Sequence, residues 1–250
     1  MFRRFFLKAL VAFPVVGLVG CRFSPSSALD AGSSLYTAAS VTDEEVREMS
    51  RRSAEQSDAA NKVAPAGSKY TKRLNKLTAG LENVDGRQFN FKVYNTPEIN
   101  ACAFGDGSLR FFTGLMDLMD DDELFFIIGH EIGHVINGDS ADKMRVAMVA
   151  AAARSGASAA GGVAAAISAS ELGGLTEAFI NAQFSQSQER DADDFGLKLM
   201  QKYNRNPMAA ATSLLKLDSP GRDPSLASRM LASHPEPKAR AERIQKQLKA

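Results

Sequence analysis

Residues 123–137 read Glu-Leu-Phe-Phe-Ile-Ile-Gly-His-Glu-Ile-Gly-His-Val-Ile-Asn, with His130-Glu131-Ile132-Gly133-His134 at their centre. The length and apolar character of this run predict a buried helix. Asp120, Asp121 or Asp122 is placed to cap its start, and Asn137 or Gly138 to end it. On an α-helix, residues four apart lie about 40° apart around the axis and one turn along it. His130 and His134 therefore share a face and can hold one metal ion, while Glu131 projects beside that ion rather than onto it. This is the H-E-x-x-H arrangement of zinc peptidases, with two imidazole ligands and a carboxylate that activates water. The five-residue pattern also occurs in helices that bind nothing, so its surroundings carry the decision.

A catalytic zinc takes three protein ligands and keeps one open position. The chain has 3 histidines, and the motif uses two of them. The best source of a carboxylate is Gln188-Glu189-Arg190-Asp191-Ala192-Asp193-Asp194. Glu189 and Asp193 are spaced to share a helix face, Glu189 as a ligand and Asp193 as a hydrogen-bond acceptor that orients a ligand imidazole. Alone, such an acidic run is a solvated helix face. Downstream of an H-E-x-x-H helix, the ligand reading is the better one.

Upstream, Thr42-Asp43-Glu44-Glu45 has the form of a capping box and starts a helix expected to run to about Lys62. Pro65-Ala66-Gly67 breaks it, and Tyr70, Leu74, Leu77 and Leu81 carry a second amphipathic helix from Lys69 to Leu81. Phe89 to Tyr94 alternates as a strand, Cys102 to Gly107 is expected as a turn, and Ser108 to Phe112 as a second strand. Cys102 is a small buried residue rather than a nucleophile. From Met144 to Ser170 the chain is almost all Ala, Gly, Ser and Val, with Arg154 within it. Packing of helices through small residues suits this run better than a membrane span, with contact at a bilayer surface as the alternative.

Composition is that of a globular protein: 250 residues, 44% hydrophobic and 24% charged. Arg3, Arg4 and Lys8 precede an apolar run from Ala9 to Gly20, too short to span a hydrocarbon core of about 30 Å. Residues 1–20 are therefore expected to be a signal peptide. Leu18-Val19-Gly20-Cys21 resembles the lipobox of bacterial lipoproteins, so Cys21 is expected to carry acyl chains such as palmitate and to begin the mature protein. Residues 21–40 form the lipidated N-terminus and a Ser/Ala/Gly-rich tether, and residues 41–250 the catalytic domain. Arg3-Arg4-Phe5-Phe6-Leu7-Lys8 also resembles a twin-arginine export signal, although an ordinary basic leader fits equally. Without residues 1–20 the chain holds 27 basic against 29 acidic residues, which excludes a strongly basic nucleic-acid binder. Two cysteines, Cys21 and Cys102, exclude a disulfide framework.

His130-Glu131-x-x-His134 followed by Glu189-x-Asp191-Ala192-Asp193 resembles the HtpX/Ste/Oma-type gluzincin zinc metallopeptidases, and in particular their bacterial lipoprotein members. The likeness extends to Asn100-Ala101, Gly114-Leu115-Met116, Gln183-Phe184-Ser185-Gln186 and Ser233-His234-Pro235, nearly the whole mature chain. It implies an α+β, mainly helical zincin fold whose small sheet has an edge strand bordering the active-site helix. It implies one Zn2+ per chain and endopeptidase activity on proteins or peptides, often in envelope quality control. By this resemblance His234 lies near the zinc, either stabilising the oxyanion or occupying the open position in a latent state. Arg240 would orient that loop or contact substrate. The expected edge strand is Ser108, Leu109, Arg110 and Phe111, offering unpaired peptide groups to an extended substrate. The protein is expected at the cell envelope, facing the periplasm, with the outer membrane favoured because Arg22 rather than aspartate follows Cys21. Two other functions fit: a chaperone-like lipoprotein with a closed zinc site, and a zinc hydrolase directed at peptidoglycan.

Overall fold

The computed structural model describes residues 41–155, 167–218 and 223–249. The expected signal peptide, Cys21 and tether lie outside the described residues. Thr42 starts helix α1 (Asp43–Ala60) as the capping box predicts: its hydroxyl accepts the Glu45 N–H at 3.2 Å, and Glu45 Oε2 accepts the Thr42 N–H at 2.9 Å. Ser68 caps α2 (Lys69–Thr78) in the same region as expected. A two-stranded ribbon follows, β1 (Asn83–Val84) and β2 (Arg87–Gln88), turned by Asp85 and Gly86 at φ 50° and 79°. Both turn residues are left-handed, the backbone that an Asp-Gly hairpin requires.

The main sheet holds β3 (Asn90–Tyr94), β4 (Ala101–Ala103) and β5 (Ser108–Phe112) in the order β3-β5-β4. β3 is parallel to β5, with Asn90 opposite Ser108 and Tyr94 opposite Phe112. β4 is antiparallel to β5, with Cys102 opposite Arg110. This corrects the expected hairpin and edge. Ala101–Ala103 is a strand rather than part of a turn, and the turn is Phe104–Gly107, with Gly107 at φ 93°. Ser108–Phe112 is the middle strand, buried at every position and paired on both sides, so Ser108, Leu109, Arg110 and Phe111 cannot pair with a substrate. Arg110 is instead a structural tie. Its Nε and Nη2 donate to the two Asp58 carboxylate oxygens on α1 at 2.7 and 3.1 Å, and Nη1 donates to Asn90 Oδ1 at 2.8 Å.

Helices complete the chain: α3 (Thr113–Leu118), α4 (Asp121–Ile136), α5 (Asp139–Ser155), α6 (Ala169–Asn181), α7 (Gln186–Lys202), α8 (Met208–Leu217), α9 (Pro224–Ser233) and α10 (Pro237–Gln247). The architecture is mainly helical with small sheets, as expected. α4 is the central element, buried without interruption from Glu123 to Val135. A helix apolar around its whole circumference must be enclosed, and α4 packs against β4, α5, α7 and α8. Its first turn is fixed by Glu123, which accepts from the Asp120 N–H at 2.8 Å and from Thr212 Oγ1 on α8 at 2.9 Å.

Gly129 and Gly133 let α4 approach α7 closely. A Cβ on Gly133 would stand 3.1 Å from Ala192 Cα, and one on Gly129 would stand 3.0 Å from Gly196 Cα. That contact brings the histidine-bearing helix against the helix that carries Glu189 and Asp193. Among the described residues, no helix is long and apolar enough to cross a membrane.

Candidate metal centre

Asp120 caps α4, accepting the Asp122 and Glu123 N–H groups at 3.0 and 2.9 Å, and three acidic residues occupy the first turn. Negative charge there complements the helix dipole and supports the helix that presents His130 and His134. Helix α7 starts on its own capping box, Ser185 with Gln188, and puts Glu189 and Asp193 one turn apart on the face toward α4. His234 ends α9, where its N–H donates to Met230 O at 2.8 Å.

These three elements converge on a buried point. Donor atoms of His130, His134, Glu189 and His234 all lie within 4.8 Å of one another. His130 Nε2 is 3.1 Å from His134 Nε2 and 3.3 Å from His234 Nδ1. Glu189 Oε1 is 2.9 Å from His234 Nδ1 and 3.4 Å from His134 Nε2. Bonds of about 2.0–2.1 Å to a tetrahedral zinc put neighbouring donors roughly 3.3 Å apart. The observed spacings fit that edge length.

The surrounding carboxylates assign the tautomers. His134 Nδ1 donates to Asp139 Oδ2 at 2.8 Å, and His130 Nδ1 lies 3.1 Å from Asp193 Oδ1. With each Nδ1 carrying the proton, the two Nε2 lone pairs face each other across 3.1 Å. Two lone pairs so close repel unless a cation lies against them, so the donor set fits zinc. Burial, then the neighbouring His134, holds the His130 pKa below its usual value, which keeps the ring a neutral ligand. Burial works to raise Glu189, but His234 and the hydrogen bonds of both His134 and His234 hold its carboxyl far below the ordinary range.

Asp193 is placed as the sequence predicts, against a ligand imidazole. Burial works to raise it, and Arg240 and His130 hold it down at about 2. Arg240 is 7% exposed and donates to Asp193 through Nε at 3.1 Å and Nη2 at 2.6 Å, while Nη1 meets Glu189 Oε2. The structure therefore corrects the substrate-binding role for Arg240: its guanidinium is engaged by the carboxylates behind the metal centre. Arg243 extends the network, with Nη1 donating to Asp194 Oδ1 at 2.7 Å.

Glu131 faces the same point. Its Oε1 is buried without a hydrogen-bond partner, with His234 Nε2 at 3.6 Å. Burial raises its pKa, as suits a general base in a dry cleft. Next to it runs β4, the edge strand that packs on α4. Phe104 N donates to Ser108 O and Phe112 N to Asn100 O, so the intervening Ala101 and Ala103 point their peptide groups away from β5.

No separate role is legible in the sequence for Asp139, for Phe184 within the Gln183–Gln186 likeness, or for Lys143 outside the centre. Asp139 follows His134 by five positions, just past the Gly138 turn, and that proximity to a ligand is its only signal. Phe184 stacks on His134 with centroids 3.7 Å apart and planes 6° apart. Lys143 lies one turn beyond Asp139 on α5, with Nζ 3.9 Å from the Phe184 centroid.

The family model of peptidase family M48 matches residues 65–248. The chain is 37% identical to the metalloprotease LoiP of Escherichia coli (strain K12) over 244 residues, 96% of each protein. It is 36% identical to the metalloprotease YcaL of the same organism over 243 residues, 95% of each. A shorter likeness, 29% over 187 residues, joins 70% of this chain to 38% of the E. coli (strain K12) beta-barrel assembly-enhancing protease.

Proposed function

Because the chain belongs to peptidase family M48 and is a zinc metalloendopeptidase, we propose that it hydrolyses misfolded or envelope proteins at the cell envelope, held there by lipidated Cys21. The observation that carries the catalytic part is the convergence of His130, His134 and Glu189 beside the unpartnered Glu131. Those three residues hold the metal, and Asp193 and Asp139 orient its imidazoles. Bound there, zinc supplies Lewis-acid chemistry and lowers the pKa of water. Glu131 takes the proton of the attacking water and delivers it to the leaving amine. An extended substrate pairs its backbone with Ala103 and with the Ala101 carbonyl on β4, the Ala101 N–H being held by Asn100 Oδ1 at 3.0 Å, which brings the scissile bond over α4. His234 Nε2, 3.6 Å from Glu131 Oε1, donates to the carbonyl oxygen as charge develops.

One observation supports a second state of the same site. His234 Nδ1 completes a set of four protein donors, and a four-donor centre has no open position. In that state the protease is latent until His234 withdraws. His234→Ala separates the roles: higher cleavage in the variant identifies His234 as the closing ligand, and lower cleavage identifies it as the oxyanion donor.

The envelope reading rests on the lipobox-like Leu18-Val19-Gly20-Cys21, on Arg22 after it, and on the small-residue tether. Its test is incorporation of labelled palmitate into the wild type and Cys21→Ala, with fractionation of the two membranes. Label and outer-membrane recovery that both vanish in Cys21→Ala support the anchor; equal recovery of both proteins in a soluble fraction refutes it.

A further inference from the structure

We propose that Lys143 is a specificity-determining residue whose ammonium, across Phe184 from the metal centre, receives a carboxylate carried by the peptide substrate. The inference rests on the peptidase reading above and adds to it a chemical class of substrate. Lys143 sits four residues after Asp139 on α5, so both project from one face of the helix toward the metal centre. Asp139 is taken by His134, whereas no hydrogen bond or ion pair reaches the Lys143 ammonium among the described residues. Its contacts are two ring faces, Phe184 at 3.9 Å and Phe179 at 5.1 Å. Aromatic faces attract an ammonium without neutralising it.

Several negative groups act on Lys143 from a distance. Glu131 is foremost, followed by Cys102 on β4, Glu189 and Asp139. The place of Lys143 is fixed by Phe184, which carries the ammonium at 3.9 Å and stacks on His134 at 3.7 Å. Burial lowers Lys143 to about 8, so it is still largely charged at neutral pH. None of its neighbours is a dedicated counter-ion. Burial pushes the Cys102 thiol up to about 12, which keeps it protonated. Glu189 belongs to the metal and Glu131 to the attacking water. A half-buried cation left without an anion is unfavourable, and an incoming carboxylate relieves it.

The stack on Phe184 separates this role from oxyanion stabilisation. His134 lies parallel to Phe184 at 3.7 Å and covers one face of it. Lys143 Nζ, 3.9 Å from the same centroid, must occupy the other face. A full ring thickness therefore stands between the ammonium and the ligand imidazole, too far for contact with an atom bound at the metal. A side chain flanking the scissile bond can reach it. Alongside Lys143 opens a cavity of about 340 Å³ lined by Asp142, Val146, Ala147, Ala178 and Gln183, with room for an acidic side chain; Asp142 is itself paired with Arg145 at 2.9 Å.

The test uses the zinc-loaded full chain and quenched-fluorescent peptides, acetylated and amidated at their ends, with Glu or Gln scanned through the positions around the cleaved bond. Wild type should prefer Glu over Gln at one position by about tenfold in kcat/KM, the scale of one hydrogen bond between charged partners. Lys143→Met should erase that preference, cleave the Gln peptide at close to the wild-type rate and retain zinc. Lys143→Arg should keep the preference. A preference that appears only when the peptide's own C-terminus is left free identifies the terminal carboxylate as the ligand. No preference at any position, a preference that survives in Lys143→Met, or an equal loss on both peptides in that variant each overturns the proposal. Binding of the same peptides to zinc-loaded Glu131→Gln, read by fluorescence anisotropy, separates this inference from the peptidase reading. A Glu preference there without cleavage by wild type keeps the Lys143 site and refutes the peptidase; cleavage of every peptide without preference does the reverse.

Discussion

Replacing Gly133 with alanine adds one methyl group where α4 and α7 touch. The new Cβ would lie 3.1 Å from Ala192 Cα, 3.1 Å from Phe195 Cβ and 3.2 Å from Ala192 O. Two of these atoms are backbone, so relief requires the helices to part by a few tenths of an ångström. Alanine in a helix interior is favoured over glycine by about 1 kcal/mol. Overpacking costs about 1–3 kcal/mol, so the net loss of stability is only about 0–2 kcal/mol. The metal centre is less forgiving. His134 is the next residue on α4, and Ala192 lies between Glu189 and Asp193 on α7, so parting the helices separates the ligands directly. Zinc sites hold their ligand distances within about 0.2 Å. Gly133→Ala should therefore fold with a nearly unchanged urea midpoint while binding zinc at least about tenfold more weakly, the scale of a disturbed ligand environment. Competition with a chromogenic chelator measures the affinity. Wild-type zinc affinity in a folded variant would refute the argument that close approach of these two helices builds the site.

Two further outcomes follow from the ion pairs. Arg240→Ala leaves the buried Asp193 and Glu189 carboxylates without their shared cation, and breaking a buried pair costs about 3–5 kcal/mol. Urea unfolding of the metal-free chain measures this, and Arg240→Lys should not restore it, because a point charge cannot bridge both carboxylates as a guanidinium fork does. Asp58→Asn should cost about 3 kcal/mol at pH 7 by leaving Arg110 buried and unpaired. Burial works to raise Asp58, but Arg110, Lys92 and Tyr94 bring its pKa below the usual 3.8. A depressed carboxylate contributes stability that is fully present above its unfolded pKa and lost as pH falls through the folded one. The difference between wild type and Asp58→Asn should thus hold from pH 7 to about pH 5 and shrink below 3.8.

The capped helices upstream of the site and the clustering of His130, His134 and Glu189 were legible because their signals are local. Thr42 with Glu45, Asp120 with Glu123 and Ser185 with Gln188 each cap a helix within four residues. His130 with His134 and Glu189 with Asp193 declare their shared faces by spacing. Strand order was not legible, because pairing is decided between distant segments. Ala101–Ala103 has only three residues and weak strand propensity, yet it closes the sheet and leaves Ser108–Phe112 in the middle. Arg110 was expected on the substrate-binding edge strand; its partner Asp58 lies 52 positions earlier on a helix. Arg240 was visible as a member of the centre but not as the cation bridging Asp193 and Glu189, which depends on how α10 folds back onto α7.

The central claim is that His130, His134 and Glu189 hold zinc while Glu131 acts as base. Zinc content and casein cleavage of the full chain, wild type beside Glu131→Gln, test it most directly. One zinc per chain is expected in both proteins, with cleavage by the wild type alone. Cleavage by Glu131→Gln at the wild-type rate, or absence of zinc from the wild type, would contradict it.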